Sequence, residues 1–140
     1  MIVLDTNVLS ELMRPVPDQQ VIAWVDAQPA SDLVVTSITV AEILYGIARM
    51  DDGKRKQTLH SLALAMFAED FAGNVLPFDL GAAEHYAELV AQGEAAGRAV
   101  GMADAQIGAI CRVHGARLAT RNVRDSDRFG ISIINPWKGE

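Results

Sequence analysis

Ile2-Val3-Leu4-Asp5-Thr6-Asn7 is the stretch whose reading decides the fold. Three apolar residues run directly into an acid and two more polar side chains, the pattern of a short buried strand with a polar tip. An Asp at the end of a buried strand is costly without a partner for its charge. The same residue also suits a helix cap, because Asp, Thr and Asn all accept from free helix N–H groups.

Working outward, Ser10 to Arg14 continue a short helix that Pro15 and Pro17 stop. Val21, Ile22, Trp24 and Val25 mark a second helix over Asp18 to Ala27, followed by a turn at Pro29-Ala30-Ser31-Asp32. Leu33 to Thr36 reads as the second strand. Thr39 to Met50 reads as a helix with Ile43, Leu44, Ile47 and Ala48 on its apolar face, broken by Asp51-Asp52-Gly53. A further helix is expected from about Lys54 to Phe71, then a third strand over Val75 to Phe78, whose Pro77 points to a sheet edge or a strand end. Asp79 to Ala96 is an Ala-rich helix. Asp104 opens a helix through His114 with Gly115 as its C-terminal cap, and Arg117 to Thr120 and Ile131 to Ile134 give the last two strands. This alternation predicts an α/β protein: a three-layer α/β/α sandwich, one domain over residues 1–140, with a mostly parallel central sheet of about five strands.

A chain of 140 residues buries roughly 70% of its unfolded surface, enough for a core without staples. Cys111 is the lone cysteine, so no internal disulfide is possible and a reducing cytoplasm is expected. The start lacks the basic flank of a secretory signal, and no run of eighteen apolar residues suggests a membrane span. Twelve basic against eighteen acidic residues give a net charge of −6, which argues against nucleic-acid binding by bulk charge. A hydrolase that commits several acids to metal ligation is still compatible with that balance.

In parallel sheets ligands bind at the carboxyl ends of the strands, near the point where strand order reverses. Asp5 follows the first strand, Glu42 lies in the helix after the second, and Asn122 and Asp125 follow the fourth. Asp104 is less certain of its rim. A helix start feeding the fourth strand is expected at the opposite side, unless a strand-like connection over Gly97 to Met102 brings it round. Carboxylates gathered together repel and raise one another's pKa, a penalty that a divalent cation removes. Oxygen ligands suit Mg²⁺ or Mn²⁺, which can activate water and stabilise a phosphodiester during in-line displacement.

Each of these residues has a plainer reading. Asp5 can serve only as a cap, Thr39-Val40-Ala41-Glu42 matches a capping box, Asp104 suits an N-cap, and residues 122–127 suit a solvated loop. His60, His85 and His114 have no metal-site spacing, and Gly97 and Gly101 form no nucleotide-binding fingerprint. Trp24 and Trp137 read as packing residues and Lys54-Arg55-Lys56 as a solvated helix face, whereas Arg121, Arg124 and Arg128 flank the proposed site and suit RNA phosphates.

Taken in order, Ile2 to Leu12, Thr36 to Ile47, Leu76 to Asp79, Asp104 to Ile107, Leu118 to Asp125 and Asn135-Pro136-Trp137 resemble the PIN-domain nucleases, specifically the VapC/FitB-type toxins of toxin–antitoxin pairs. The resemblance implies a Mg²⁺- or Mn²⁺-dependent endoribonuclease, with tRNA or another structured RNA as substrate. It implies that Asp5, Glu42 and Asp104 are the catalytic, metal-ligating acids of one cluster; beside them, Thr6, Asn7, Thr120, Arg121 and Arg124 are the expected substrate contacts. It also implies a homodimer silenced by a VapB/FitA-like antitoxin, whose Arg enters the acidic pocket. The sequence departs from the family pattern at Asn122, where an acid is usual, leaving Asn122 or Asp125 as the fourth ligand.

Two other classes compete. A degenerate PIN-like domain would only bind RNA or protein. An aspartate-based phosphotransfer enzyme also places Asp after the first strand, but its D-x-D pattern fails at Asn7, and the lysines, Lys54, Lys56 and Lys138, do not supply its usual partner after a late strand.

Overall fold

The computed structural model describes residues 1–123 and 129–139. Its elements in chain order are β1 (Ile2–Leu4), α1 (Thr6–Leu12), α2 (Gln19–Asp26), β2 (Leu33–Thr36), α3 (Ser37–Ala48), α4 (Lys54–Ala65), β3 (Val75–Leu76), α5 (Leu80–Ala95), α6 (Met102–His114), β4 (Arg117–Ala119) and β5 (Ile133–Ile134). The five strands form one parallel sheet in the order β3-β2-β1-β4-β5. The chain first winds outward from β1 through β2 to β3, then crosses back to place β4 on the other side of β1. Strand order therefore reverses at the β1–β4 pair, where a crevice opens at the carboxyl rim.

Strand side chains alternate between two cores, as a pleated sheet requires. Ile2, Leu4, Leu33, Val35, Ala119 and Ile134 face the first core, where α1 to α4 contribute Val8, Leu9, Val21, Ile43, Ile47 and Ala63. Val3, Val34 and Leu118 face the other way, against Ile107 and Cys111 of α6. Leu89 and Ala109 then join α5 to α6, with Phe129 in the same cluster. Burial on both faces explains why β1 and β2 read as unbroken apolar runs.

Several local expectations need correction. The cap of α3 is Thr36, whose Oγ1 accepts from the Thr39 N–H at 3.1 Å, because the helix starts as soon as β2 ends. The expected Thr39–Glu42 capping box is therefore not formed, and Glu42 is released for other work. Asp104 is not an N-cap either: Gly101 holds that position and Asp104 sits in the first turn of α6. The helix from Lys54 is interrupted by a π-type turn over Met66–Asp70, closed by the Phe71 N–H on the Met66 carbonyl at 3.1 Å, and the extra residue rotates Phe71 into the core. β3 stops at Leu76, before Pro77, on the sheet edge. β5 spans only Ile133–Ile134.

For Asp104, whose rim the order of elements leaves open, helix direction decides in favour of the carboxyl side. α6 ends at a left-handed Gly115 (φ +60°), after which Arg117 pairs with Ile2 at the amino rim of the sheet. A helix of 13 residues is about 20 Å long, so its opposite end, carrying Asp104, reaches the carboxyl rim. No strand is needed over residues 97–102, and none is formed there.

Candidate active site

The Asp5 N–H donates to the Ala119 carbonyl at 2.9 Å, so β1 and β4 stay side by side one residue beyond their ends. This sets Thr120 against Asp5. The fully buried Thr120 hydroxyl donates to Asp5 Oδ2 at 2.8 Å, and the Thr6 N–H donates to Oδ1 at 2.8 Å. Asp5 is therefore both the cap of α1 and an acid at the switch point; the two readings are one geometry. Thr120 Oγ1 also accepts from Asn7 Nδ2 at 3.1 Å and from the Asn122 N–H at 3.0 Å, while Asn7 Oδ1 accepts from the Arg121 N–H at 3.3 Å. Thr120, expected to touch substrate, is fully enclosed and holds Asp5 instead.

Glu42 approaches from α3. Its Oε1 accepts from the Thr6 hydroxyl at 2.6 Å, although its side chain is otherwise exposed. Asp104 comes from the first turn of α6. Asp5, Glu42 and Asp104 line one open cleft of about 500 Å³, together with Asn122. Arg124, Asp125 and Arg128 lie outside the described residues.

Burial is the largest influence on Asp5 and raises its pKa; the Thr120 and Thr6 hydrogen bonds lower it, and the charges of Asp104 and Glu42 raise it again. The net shift is upward, the signature of a carboxylate held dry among like charges. Among the described residues, no three His, Cys, Asp or Glu side chains close to the separations of a preformed metal cage. The donor set is nonetheless made of hard oxygens only, in an open cleft, which suits a small divalent ion that retains several waters. Cys111 offers no alternative nucleophile: burial, then the Asp5 charge, pushes its thiol up to about 12, so it stays protonated at neutral pH.

Ser10, Glu11 and Arg14, which no motif in the sequence singles out, also line the cleft. The signal was available, since residues 7, 10, 11 and 14 share one face of a helix. Glu11 is buried, with its Oε2 accepting from the Asp18 N–H at 3.0 Å and its Oε1 paired with Arg14 at 3.3 Å. The Arg121 guanidinium lies 4.8 Å from the centre of the Trp137 ring, so Trp137 both packs against the core and seats a cation at the cleft.

A second, largely apolar groove of about 1280 Å³ adjoins the cleft and shares Thr6, Ser10, Arg14 and Glu42 with it. Leu12, Ile43, Gly46, Ile47 and Leu62, from α1, α3 and α4, form its apolar surface.

Comparison with known proteins accords with this arrangement. A family model described as the PIN domain matches residues 2–129. The VapC ribonuclease Y4jK of Sinorhizobium fredii is 45% identical over 138 residues, covering 99% of each chain. Toxin FitB of Neisseria gonorrhoeae is 37% identical over 137 residues, covering 98% of this chain and 99% of that protein. The solved structure of FitAB bound to an IR36 DNA fragment contains a chain that superposes with a TM-score of 0.91 at 37% identity, covering 98% of this chain and 96% of that one.

Proposed function

This chain belongs to the PIN-domain family, and on that premise we propose that it is the toxin of a toxin–antitoxin pair, a divalent-metal-dependent endoribonuclease that hydrolyses RNA phosphodiester bonds. The observation that carries the reading is the meeting of Asp5, Glu42 and Asp104, from three separate elements, in one cleft at the switch point of the sheet. These three acids would hold Mg²⁺ or Mn²⁺, with the fourth ligand either Asn122, a neutral oxygen donor at the cleft, or Asp125, which lies outside the described residues. When bound, the ion would supply Lewis acidity for phosphodiester hydrolysis. The protein's own part is positional. Thr120 and the Thr6 N–H fix Asp5 from two sides, and Arg121, seated on Trp137 at the cleft, is the cation proposed for substrate phosphate; Arg124, the other cation the sequence offers for that role, lies outside the described residues. Thr6 and Asn7 border the same cleft, where they meet substrate from the α1 side.

Total tRNA is the first substrate to assay, with Mg²⁺, with Mn²⁺ and with EDTA. Discrete cleavage products that vanish in EDTA are expected. Intact tRNA under every metal condition would instead support a binding-only PIN-like domain, a reading that Asn122 at a usual acidic position favours.

The antitoxin is VapB/FitA-like, and the complex forms in the cytoplasm on homodimers of the toxin. Among the described residues no helix is long and apolar enough to cross a membrane, and Cys111 is a free buried thiol. The early helices are where the sequence places an apolar antitoxin segment, around Leu9, Leu12 and Trp24; Leu9 is fully buried in the core and Trp24 is half-buried against it, whereas Leu12 lines the groove beside the acids. That groove is the docking surface of this reading, and it would lay an apolar antitoxin segment beside the cleft, with a basic residue of the segment reaching the acids. Gly46 and Leu62 allow a clean test. A Cβ at Gly46 meets nothing within 4 Å, and Leu62 is 60% exposed, so Gly46→Gln with Leu62→Lys should fold normally. Antitoxin recovered with this double variant is expected to fall roughly tenfold, because a lysine must be desolvated in the groove. Undiminished co-purification would move the docking site elsewhere.

A further inference from the structure

We infer that Thr36 and Thr39, two fully buried residues outside the cleft, are positioning residues for Glu42, acting through the Thr6 hydroxyl. The inference rests on the reading of Glu42 as a metal ligand and assigns what holds that ligand in place. Glu42 is exposed, and a free Glu side chain samples many rotamers. Here its Oε1 is tethered at 2.6 Å by Thr6 Oγ1. A threonine hydroxyl has one proton, and at that distance Thr6 gives its proton to the carboxylate. The 3.0 Å contact between Thr6 and Thr39 must then run the other way, with Thr39 as donor. Thr39 has thereby committed its own proton, so the 3.4 Å contact with Thr36 runs from Thr36 to Thr39. Thr36 Oγ1 completes its bonding by accepting the Thr39 N–H at 3.1 Å.

The proton order is therefore one-way: Thr36 to Thr39, Thr39 to Thr6, Thr6 to Glu42. Each hydroxyl acts as acceptor for the group behind it and donor to the group ahead, and a chain that ends on a charged acceptor strengthens along its length. It starts where β2 passes into α3 and crosses to the first residue of α1, so it locks Glu42 to the end of β2 and to the helix capped by Asp5. Thr120 does the same for Asp5 with one link. The consequence is that a hydroxyl with no access to the cleft sets how well Glu42 meets a cation. Partners that orient metal ligands in this way are worth about 10–100-fold in affinity.

The test is calorimetric Mn²⁺ titration of the full chain as wild type, Thr39→Val, Thr39→Ser and Thr6→Val, with thermal melting in EDTA as a control. Thr39→Val keeps the shape and removes the hydroxyl, and Thr39→Ser keeps the hydroxyl. Mn²⁺ affinity is expected to fall roughly tenfold in Thr39→Val, at least as far in Thr6→Val, and to stay within about twofold in Thr39→Ser. Thr39→Val that melts lower but titrates like wild type, or equal losses in Thr39→Val and Thr39→Ser, would overturn the inference. Should Thr39→Val fail to fold, the half-buried Thr6→Val decides alone, and wild-type affinity there has the same meaning. Wild-type protein that takes up no Mn²⁺ overturns the metal-site reading and the inference with it, whereas four equal titrations strike only the inference.

Discussion

Asp5→Asn is expected to lower RNA cleavage by on the order of a thousandfold, because a metal's contribution of several kcal/mol converts at about 1.4 kcal/mol per tenfold in rate. The fold should survive. Asn is as good a helix cap as Asp, so its side-chain oxygen can still accept from the Thr6 N–H. The substitution should also change how stability depends on pH. The Asp5 pKa is raised in the folded protein above its ordinary value of 3.8, chiefly by burial, so folding favours the protonated acid. Its contribution to stability is fully present below the unfolded pKa and is lost as pH rises through the folded one. Metal-free wild type should therefore lose melting temperature relative to Asp5→Asn as pH climbs from 3.8 through the raised pKa, and Mn²⁺ should restore it. Parallel melting curves for the two proteins across that range, without metal, would show that Asp5 carries no such penalty.

Gly108→Ala is expected to be the most damaging conservative change in the core. A Cβ at this α6 position would lie 2.7 Å from Phe129 Cδ2 and 2.9 Å from its Cγ. Those atoms belong to the ring and its root, and Phe129 is only 3% exposed, so the ring cannot swing aside. Overpacking of this kind costs about 1–3 kcal/mol, and the better helix propensity of Ala returns no more than about 1 kcal/mol. A net loss of about 1–2 kcal/mol lowers the melting temperature by roughly 3–7 °C for a chain of this length. A melting temperature equal to wild type would mean that the α6–Phe129 contact is looser than described.

Much of this fold was legible because its strands are buried on both faces. Ile2-Val3-Leu4 and Leu33-Val34-Val35 have no polar residue to blur the pattern, and Gly115 stands where only a left-handed residue ends the helix cleanly. Features that depend on a single backbone shift were not legible. The π-type turn at Met66–Asp70 is set by one shifted backbone hydrogen bond, Phe71 N–H to the Met66 carbonyl, and the start of α3 at Ser37 by the Thr36 cap, and neither changes the apolar pattern from which the helices are read. The rim of Asp104 was not legible from residue order alone, because it depends on helix direction: a crossover helix runs antiparallel to the strand it feeds, so its first residues return to the carboxyl rim.

The acids themselves were visible as residue types: Asp5 just after β1, Glu42 within the helix that follows β2, and Asp104 in the first turn of α6. Their supports were not. Thr6 and Thr39 are 33 residues apart, and Thr120 is 115 residues from Asp5, so no spacing rule connects them. Glu11 and Arg14 escaped notice because Glu11 looks like an ordinary helix residue until the fold buries it. Asn122 borders the cleft as its position after β4 suggested, donating its backbone N–H to Thr120.

The central claim, one metal-dependent site built by acids from three elements, is tested most directly through Asp104, the acid contributed by α6 across the cleft. The measurement is the rate of tRNA cleavage against Mn²⁺ concentration, after stripping with EDTA, for wild type and Asp104→Asn prepared free of wild-type protein. The expected result is that Mn²⁺ restores cleavage to wild type and leaves Asp104→Asn inactive at every concentration, with both proteins folded. Equal restoration of both would contradict it, because the cleft would then hold its metal and cut RNA without the acid that α6 brings.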